Sequence, residues 1–359
     1  MERKSTVSVM VGNVPIGGDA PISVQSMTNT DTKDIEATVG QIERLTEAGC
    51  ELVRVAIPDE ASAAALAEIK RNISVPLVAD IHFNYKLALM AIEQGVDKIR
   101  VNPGTLGGVK NFDRILHAAR ERGIPIRIGV NSGSLEKDVL DSYRGRVSEA
   151  LVESTLKAVD YMEKQSFSNI VLSLKASSVF STVDAYERMA DRAPYPLHLG
   201  VTEAGLGRSG IIKSAIGIGS LLLKGVGDTI RVSLTGDPAA EIAVAKDILQ
   251  AAGRRIFGPE IISCPTCARC KIDLAGLVSR IGPLLKDIKA PLKIAVMGCP
   301  VNGPGEAREA HLGVTGAGEE AIIFKEGTFL TKTSLQKVEE VFITELEKLV
   351  GAGFHARPI

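Results

Sequence analysis

The sequence predicts an α/β protein in which an N-terminal (β/α)8 TIM-type barrel precedes a smaller C-terminal α/β domain. Three observations carry this expectation. Short β-rich runs alternate with helical patterns eight times between about residues 22 and 252, the size and period of such a barrel. Four of those runs place an arginine in the same inward register. Beyond them the chain changes character, with Cys264, Cys267, Cys270 and Cys299 at metal-ligand spacings.

The predicted strands are Ile22–Thr28, Leu52–Ile57, Pro76–His82, Lys98–Pro103, Pro125–Asn131, Asn169–Lys175, Pro196–Glu203 and Thr229–Thr235. Each precedes a helix-compatible segment, as in Asp34–Gly49 and Glu60–Asn72, where apolar residues recur at helical spacing before a Gly or Asn stop. An open doubly wound sheet is the competing topology, but no glycine-rich dinucleotide fingerprint follows the first strand. The Gly17-Gly18 pair precedes that strand, and Gly107-Gly108 reads as a loop. The boundaries are set at 1–252 for the barrel, expected to bind the substrate, and 253–359 for the second domain.

Composition narrows the functional classes. A chain of 359 residues, 45% hydrophobic and 24% charged, can bury a large core and divide into two domains. Lys plus Arg number 42 against 43 Asp plus Glu, so bulk charge argues against a nucleic-acid or anionic-membrane partner. The first residues lack the apolar run of a signal peptide, and no stretch is long and apolar enough to span a bilayer. A cytoplasmic location is expected. The cysteines are five, an odd number, which suits a metal or redox site better than a disulfide framework.

The strand arginines point to chemistry. Arg54, Arg100, Arg127 and Arg231 each lie between two β-branched residues, so alternation sends Val and Ile outward to the helices and the guanidiniums toward the barrel axis. An unpaired buried cation costs several kcal/mol, so the mouth needs carboxylates, a bound polyanion, or both. Asp80 and Glu203 supply at most two charges, and Lys175 adds a fifth cation. Asn102, Asn131, Thr202 and Ser233 add neutral hydrogen-bonding groups at strand ends. The set reads as a diphosphate cup at the C-terminal mouth, where barrel enzymes keep their sites, built of Arg because its planar fork holds two phosphate oxygens at once. The competing reading pairs each arginine with a barrel carboxylate as a structural ion pair, which four in one register make less economical. Lone strand histidines such as His82 and His198 are more often hydrogen-bonded structural groups.

Three thiolates and a carboxylate, Cys264, Cys267, Cys299 and Glu306, could hold an iron–sulfur cluster, with the harder oxygen ligand leaving one iron easier to exchange. Cys264, Cys267 and Cys270 also have the Cys-x2-Cys-x2-Cys spacing of bacterial ferredoxins, and spacing does not choose between Cys270 and Glu306. A structural zinc site is the alternative for a Cys-x2-Cys pair, although no second, separate pair exists and the nearest histidine, His311, lies beyond a Gly-Pro-Gly turn. That reading would make the chain a pterin- or phosphosugar-binding barrel enzyme. A redox-sensing or electron-carrying module would use a cluster but has no need of cations lining a cavity.

The segments Ser263-Cys-Pro-Thr-Cys267-Ala-Arg269, Val296-Met-Gly-Cys299-Pro-Val-Asn-Gly-Pro-Gly-Glu306, Val24-Gln-Ser-Met-Thr-Asn-Thr30 and Val78-Ala-Asp-Ile-His-Phe83 resemble the 4-hydroxy-3-methylbut-2-enyl diphosphate synthase family, in its shorter two-domain bacterial form. The resemblance covers nearly the whole chain. It implies an iron–sulfur oxidoreductase of the non-mevalonate isoprenoid pathway, which opens and reductively dehydroxylates 2-C-methyl-D-erythritol 2,4-cyclodiphosphate. Two electrons from ferredoxin or flavodoxin would pass through a 4Fe-4S cluster on Cys264, Cys267, Cys299 and Glu306. Cys270 stands where the family commonly has another residue type, and the resemblance leaves it a bystander. Family substrate positions fall on Arg54, Arg100, Arg127, Asn131, Lys175, Arg231 and Ser233, with Glu203 as a proton carrier and Glu306 as the ligand that yields its iron. A homodimer is also implied, each cluster domain capping the partner's barrel.

Overall fold

In a computed structural model the described residues are 2–351 other than 136, 271, 287, 302–304, 306 and 307. The chain divides into two compact units, Met1–Arg255 and Ile256–Ile359.

The first unit opens with an antiparallel hairpin, β1 (Val9–Val11) and β2 (Val14–Ile16), that sequence patterning did not predict. Its turn carries Gly12 at φ +56°, a conformation that costs glycine no steric clash. Val11 and Ile16 pack with Leu52, placing the hairpin at the start of a barrel strand. The barrel follows: β3 (Ser23–Met27), α1 (Ile35–Glu47), β4 (Leu52–Ala56), α2 (Glu60–Arg71), β5 (Leu77–Asp80), α3 (Tyr85–Glu93), β6 (Lys98–Val101), α4 (Val109–Arg122), β7 (Ile126–Asn131), α5 (Lys137–Ser142), α6 (Val147–Lys164), β8 (Ile170–Lys175), α7 (Val179–Ala190), β9 (His198–Leu199), α8 (Gly207–Leu223), β10 (Thr229–Ile230) and α9 (Pro238–Ala251). Each of the eight predicted strands is present. Helix starts follow capping chemistry, Asp34 accepting from the Ala37 N–H at 3.1 Å and Asp59 from the Ser62 N–H at 2.8 Å.

All pairings in this sheet are parallel, in the order β8-β7-β6-β5-β4-β3-β10-β9. A single bridge between Leu172 and Leu197 closes the ring. The last two strands are shorter than the patterning predicts. Just past β9, a Cβ on Gly200 would stand 2.6 Å from Lys175 Nζ and 2.7 Å from the Arg231 carbonyl, so the wall there yields space to a buried amine. Tyr186 of α7 stitches this thinly paired edge. Its buried hydroxyl accepts from the Leu174 N–H at 3.2 Å and donates to the His198 carbonyl, joining β8 to β9.

The second unit is a five-stranded mixed sheet, β11 (Glu260–Ser263), β12 (Lys293–Met297), β13 (Leu312–Ala317), β14 (Glu320–Lys325) and β15 (Thr328–Ser334), with α10 (Leu274–Leu285) and α11 (Val338–Gly351). β11, β12 and β13 run parallel, and β14 and β15 continue the sheet antiparallel. Leu274, Leu277, Ile281, Ile294, Val296, Leu312, Phe342 and Leu346 belong to its own apolar core.

Tyr186→Phe keeps the ring and strands two buried backbone groups, so it should lower the stability of the barrel by about 1–3 kcal/mol. Denaturant unfolding followed on the isolated variant and parent checks this, and an unchanged midpoint would show that the closing edge does not depend on the hydroxyl.

Candidate active site

Strand alternation decides what fills the barrel mouth. Arg54, Asp80, Arg100, Arg127, Ser173, Lys175 and Arg231 point inward and, with His82, Asn131, Val201, Thr202 and Ser233, line a cavity of about 140 Å³ at the C-terminal ends of the strands. The predicted substrate residues Arg54, Arg100, Arg127, Asn131, Lys175, Thr202, Arg231 and Ser233 are therefore brought together. Asn102 is not. Its side chain donates to Ser134 Oγ at 3.2 Å and accepts from the Gly104 N–H at 3.2 Å, and it borders a separate cavity with Phe112, Val139 and Tyr161. Glu203 is exposed, lies outside the lining of the cup, and holds φ at +52°, uncommon for a residue with a side chain.

The arginines differ in how well they are matched. Arg231 is the best satisfied, its Nε and Nη2 donating to both oxygens of Glu241 at 3.2 and 3.0 Å and its Nη1 to Ser233 Oγ at 2.7 Å. Glu241, on α9 and 2% exposed, also accepts from Ser26 Oγ and the Leu234 N–H. Sequence reasoning missed it, because a glutamate in a helix carries no strand-register signal. Arg100 pairs with Asp80 at 3.1 Å, donates to the Gly129 carbonyl at 3.0 Å and meets the His82 ring. Gly129 is required there, since a Cβ would strike the guanidinium. Arg54 is poorly matched, with two N–H groups directed at the weakly accepting Met27 sulfur at 3.1 and 2.9 Å and Asp80 no nearer than 4.0 Å. Arg127 donates to Gln25 Oε1 at a long 3.4 Å, and its Nε has no partner.

Among the described residues two carboxylates, Asp80 and Glu241, thus face Arg54, Arg100, Arg127, Arg231 and Lys175. Burial alone would raise the Asp80 carboxyl, but Arg54, His82 and Arg100 outweigh it and hold the group well below the usual carboxylate range. Lys175 moves the other way. Burial, then Arg127, Arg54, Arg231 and Arg100, weaken its hold on a proton. Burial and neighbouring cations act on Arg127 in the same direction, yet a guanidinium starts too high to lose its charge. The cup is therefore short of negative charge, and its forked guanidinium donors suit the oxygens of an anion.

In the second unit Cys264 and Cys299 follow the ends of β11 and β12, and among the described residues no three His, Cys, Asp or Glu side chains stand close enough together to hold a metal ion. The Gly298 N–H donates to Cys264 Sγ at 3.3 Å, and Thr315 Oγ1 donates to the Cys299 carbonyl at 2.8 Å. Cys270 Sγ donates to the Ile272 carbonyl at 3.3 Å and packs on Gly298, where any Cβ would collide with it. Cys267 is exposed. Soft thiol donors with an N–H···S bond suit an iron–sulfur group, whose potential such bonds tune. Glu306 lies outside the described residues. His311 Nδ1 accepts from the Lys293 N–H at 2.8 Å, which commits that nitrogen to the sheet and not to zinc.

A parallel barrel with a cationic cup at its catalytic face, joined to a thiol-bearing α/β unit, defines a barrel enzyme acting on a small polyanion. Residues 6–246 match the GcpE TIM-barrel domain and residues 260–348 the GcpE protein C-terminal domain. The chain belongs to the GcpE family. It is 55% identical over 348 residues to the 4-hydroxy-3-methylbut-2-en-1-yl diphosphate synthase (flavodoxin) of Caldanaerobacter subterraneus subsp. tengcongensis, covering 97% of this chain and 98% of the relative. The protein of the same name from Geobacter sulfurreducens is 51% identical, with coverages of 97% and 99%. Among solved structures, dihydropteroate synthase from Stenotrophomonas maltophilia superposes with a TM-score of 0.50 at 16% identity, covering 68% of this chain and 98% of that one, a likeness of fold alone.

Glu241→Gln should leave Arg231 buried with half its partner and cost about 3 kcal/mol of barrel stability. Urea titration measures it, and a loss below 1 kcal/mol would mean that Arg231 finds another acceptor.

Proposed function

We propose that this chain catalyses the reductive ring opening and dehydroxylation of 2-C-methyl-D-erythritol 2,4-cyclodiphosphate to 4-hydroxy-3-methylbut-2-enyl diphosphate, the non-mevalonate step for which its curated relatives are named. The observation that carries this reading is the excess of fixed cation over carboxylate in a cup of about 140 Å³. Two electrons and two protons are taken up, the ring C–O bond breaks, and one oxygen leaves as water. When bound on Cys264, Cys267, Cys299 and Glu306, a 4Fe-4S cluster supplies the electrons singly, from flavodoxin or, alternatively, ferredoxin.

The chain's own residues do the rest. Arg54, Arg100, Arg127 and Lys175 grip the diphosphate oxygens, and their charge stabilises the negative charge that develops on the phosphate oxygen as it leaves carbon. Arg231, fixed by Glu241 and Ser233, sets the floor against which the diphosphate is oriented. Asn131 and Thr202 hydrogen-bond the substrate at the rim, and Asn102 braces the neighbouring loop through Ser134. Glu203, on the loop after β9, carries a proton to the reacting end. The enzyme works as a homodimer in the cytoplasm.

The deciding experiment is anaerobic turnover of the cyclic diphosphate by reconstituted protein with reduced flavodoxin, with sedimentation on the same sample. Formation of the allylic diphosphate by a species of twice the 38.0 kDa chain mass is expected. A full complement of iron and sulfide without product would withdraw the reaction, and a monomeric active species would withdraw the dimer. Cys270→Ser should retain iron, sulfide and turnover at the parent's level, whereas a loss equal to that of Cys264→Ser would make Cys270 a ligand.

A further inference from the structure

Below the cup the barrel interior holds one more cationic side chain. Lys98 lies two residues before Arg100 on β6, so both project to the barrel axis, with Lys98 one layer deeper. It is 0% exposed, and its Nζ has no hydrogen-bond partner. The layer around it is polar and equally unmatched. Thr229 stands in register with Ser23 on one side and His198 on the other, and Ser23 Oγ, Thr229 Oγ1 and both His198 ring nitrogens lack partners. Gln25 Nε2 and Arg127 Nε, directly above, are unmatched too.

The charges around this layer are Arg54 from β4, Asp80 from β5, Arg100 from β6, Arg127 from β7, Lys175 from β8, His198 from β9, and Arg231 from β10 with Glu241 from α9. Both carboxylates are already engaged, Asp80 by Arg100 and Glu241 by Arg231, at 3.1 and 3.0 Å. An ammonium at Lys98 would be desolvated among cations with no counter-charge of its own. An uncharged amine there escapes that penalty and can accept as well as donate a hydrogen bond.

We propose that Lys98 is a proton-linked positioning residue, an uncharged amine while the cup is free of anion and an ammonium once a diphosphate docks above it. The inference rests on the reading of the cup as a diphosphate site. Burial, followed by Arg127 and Arg54, pushes the Lys98 amine well below its ordinary range, and burial, Arg127, Lys175 and Lys98 do the same to His198. A phosphate charge about 10 Å away, through an effective dielectric constant of about 20, strengthens an amine's hold on its proton roughly tenfold. A doubly charged diphosphate therefore shifts Lys98 toward the ammonium, with the proton drawn from solvent. The sign follows from the two states. Binding takes up a proton, so affinity falls as pH rises between the Lys98 pKa of the free barrel and the higher one of the complex.

Calorimetric titration of the unreduced holoprotein with 2-C-methyl-D-erythritol 2,4-cyclodiphosphate tests this at pH 8, in two buffers of different ionisation enthalpy. Both phosphates of that ligand are diesters that do not titrate near pH 8, so any proton uptake belongs to the protein. The parent should take up a measurable fraction of a proton per ligand, and Lys98→Met less than half of the parent's uptake while still binding. Equal uptake by both proteins overturns the proposal and moves the proton to Lys175 or His198, and no uptake by the parent overturns it outright. Absence of binding by the parent overturns the diphosphate reading itself. The parent alone supplies a second check that needs no folded variant. Its dissociation constant should rise severalfold between pH 7 and pH 9, and a constant value across that range is incompatible with the proposal.

Discussion

Confinement of cations inside a parallel barrel is the constraint on which the rest of the first unit depends. Arg54, Arg100, Arg127, Lys175 and Arg231 project into one interior above the buried Lys98 amine, where Asp80 and Glu241 are the engaged carboxylates. A barrel of ordinary composition fills that space with branched aliphatic side chains in layers. Here many of the aliphatic strand residues lie on the outer face, as Val53, Val55, Ile99, Val101, Ile126 and Ile128 show, and the helices cover them. The outer shell must then stabilise a centre that opposes folding. Glycines at 129 and 200 admit the long cationic side chains, and α9 sends Glu241 inward. Each of these features is local compensation for the same excess charge.

The cup was legible in the sequence because strand geometry has a rigid period of two. Once Arg54, Arg100, Arg127 and Arg231 are each set between β-branched neighbours, their direction follows without knowledge of any contact, and Lys175 and Asn131 follow from standing last on their strands. Groups that depend on other geometry were not legible. Glu241 reaches Arg231 from a helix, and its role becomes visible only when α9 is laid beside β3 and β10. Asn102 satisfies the strand-end pattern, yet the turn it caps draws its amide toward Ser134. Lys98 was read as a strand end, although alternation already placed it on the face of Arg100. The thiol corner was recognisable from spacing, but the packing of Cys270 on Gly298 required the sheet.

Fold and chemistry separate cleanly here. The likeness to dihydropteroate synthase covers 68% of this chain at 16% identity, so what is shared is the fold. What distinguishes this chain is the inward register of its strands, since every second residue can change while the outer apolar face and the helices stay as they are. Membership of the GcpE family is carried by both units, each matched by its own domain.

The independent apolar core of the second unit has a consequence for damage and repair. Small metal domains often owe their fold to the metal and come apart when it leaves. In this unit Leu277, Ile281, Ile294, Val296, Phe342 and their neighbours bury an apolar core against which Cys264 and Cys270 pack, and the Gly298 N–H bond to Cys264 Sγ and the Thr315 hydroxyl bond to the Cys299 carbonyl define the corner. Were a cluster held on these thiols and lost to oxidation, the aliphatic core would still hold the sheet and its two helices together. A receptacle of that kind could be refilled in situ, its perishable part replaced without new synthesis of the chain.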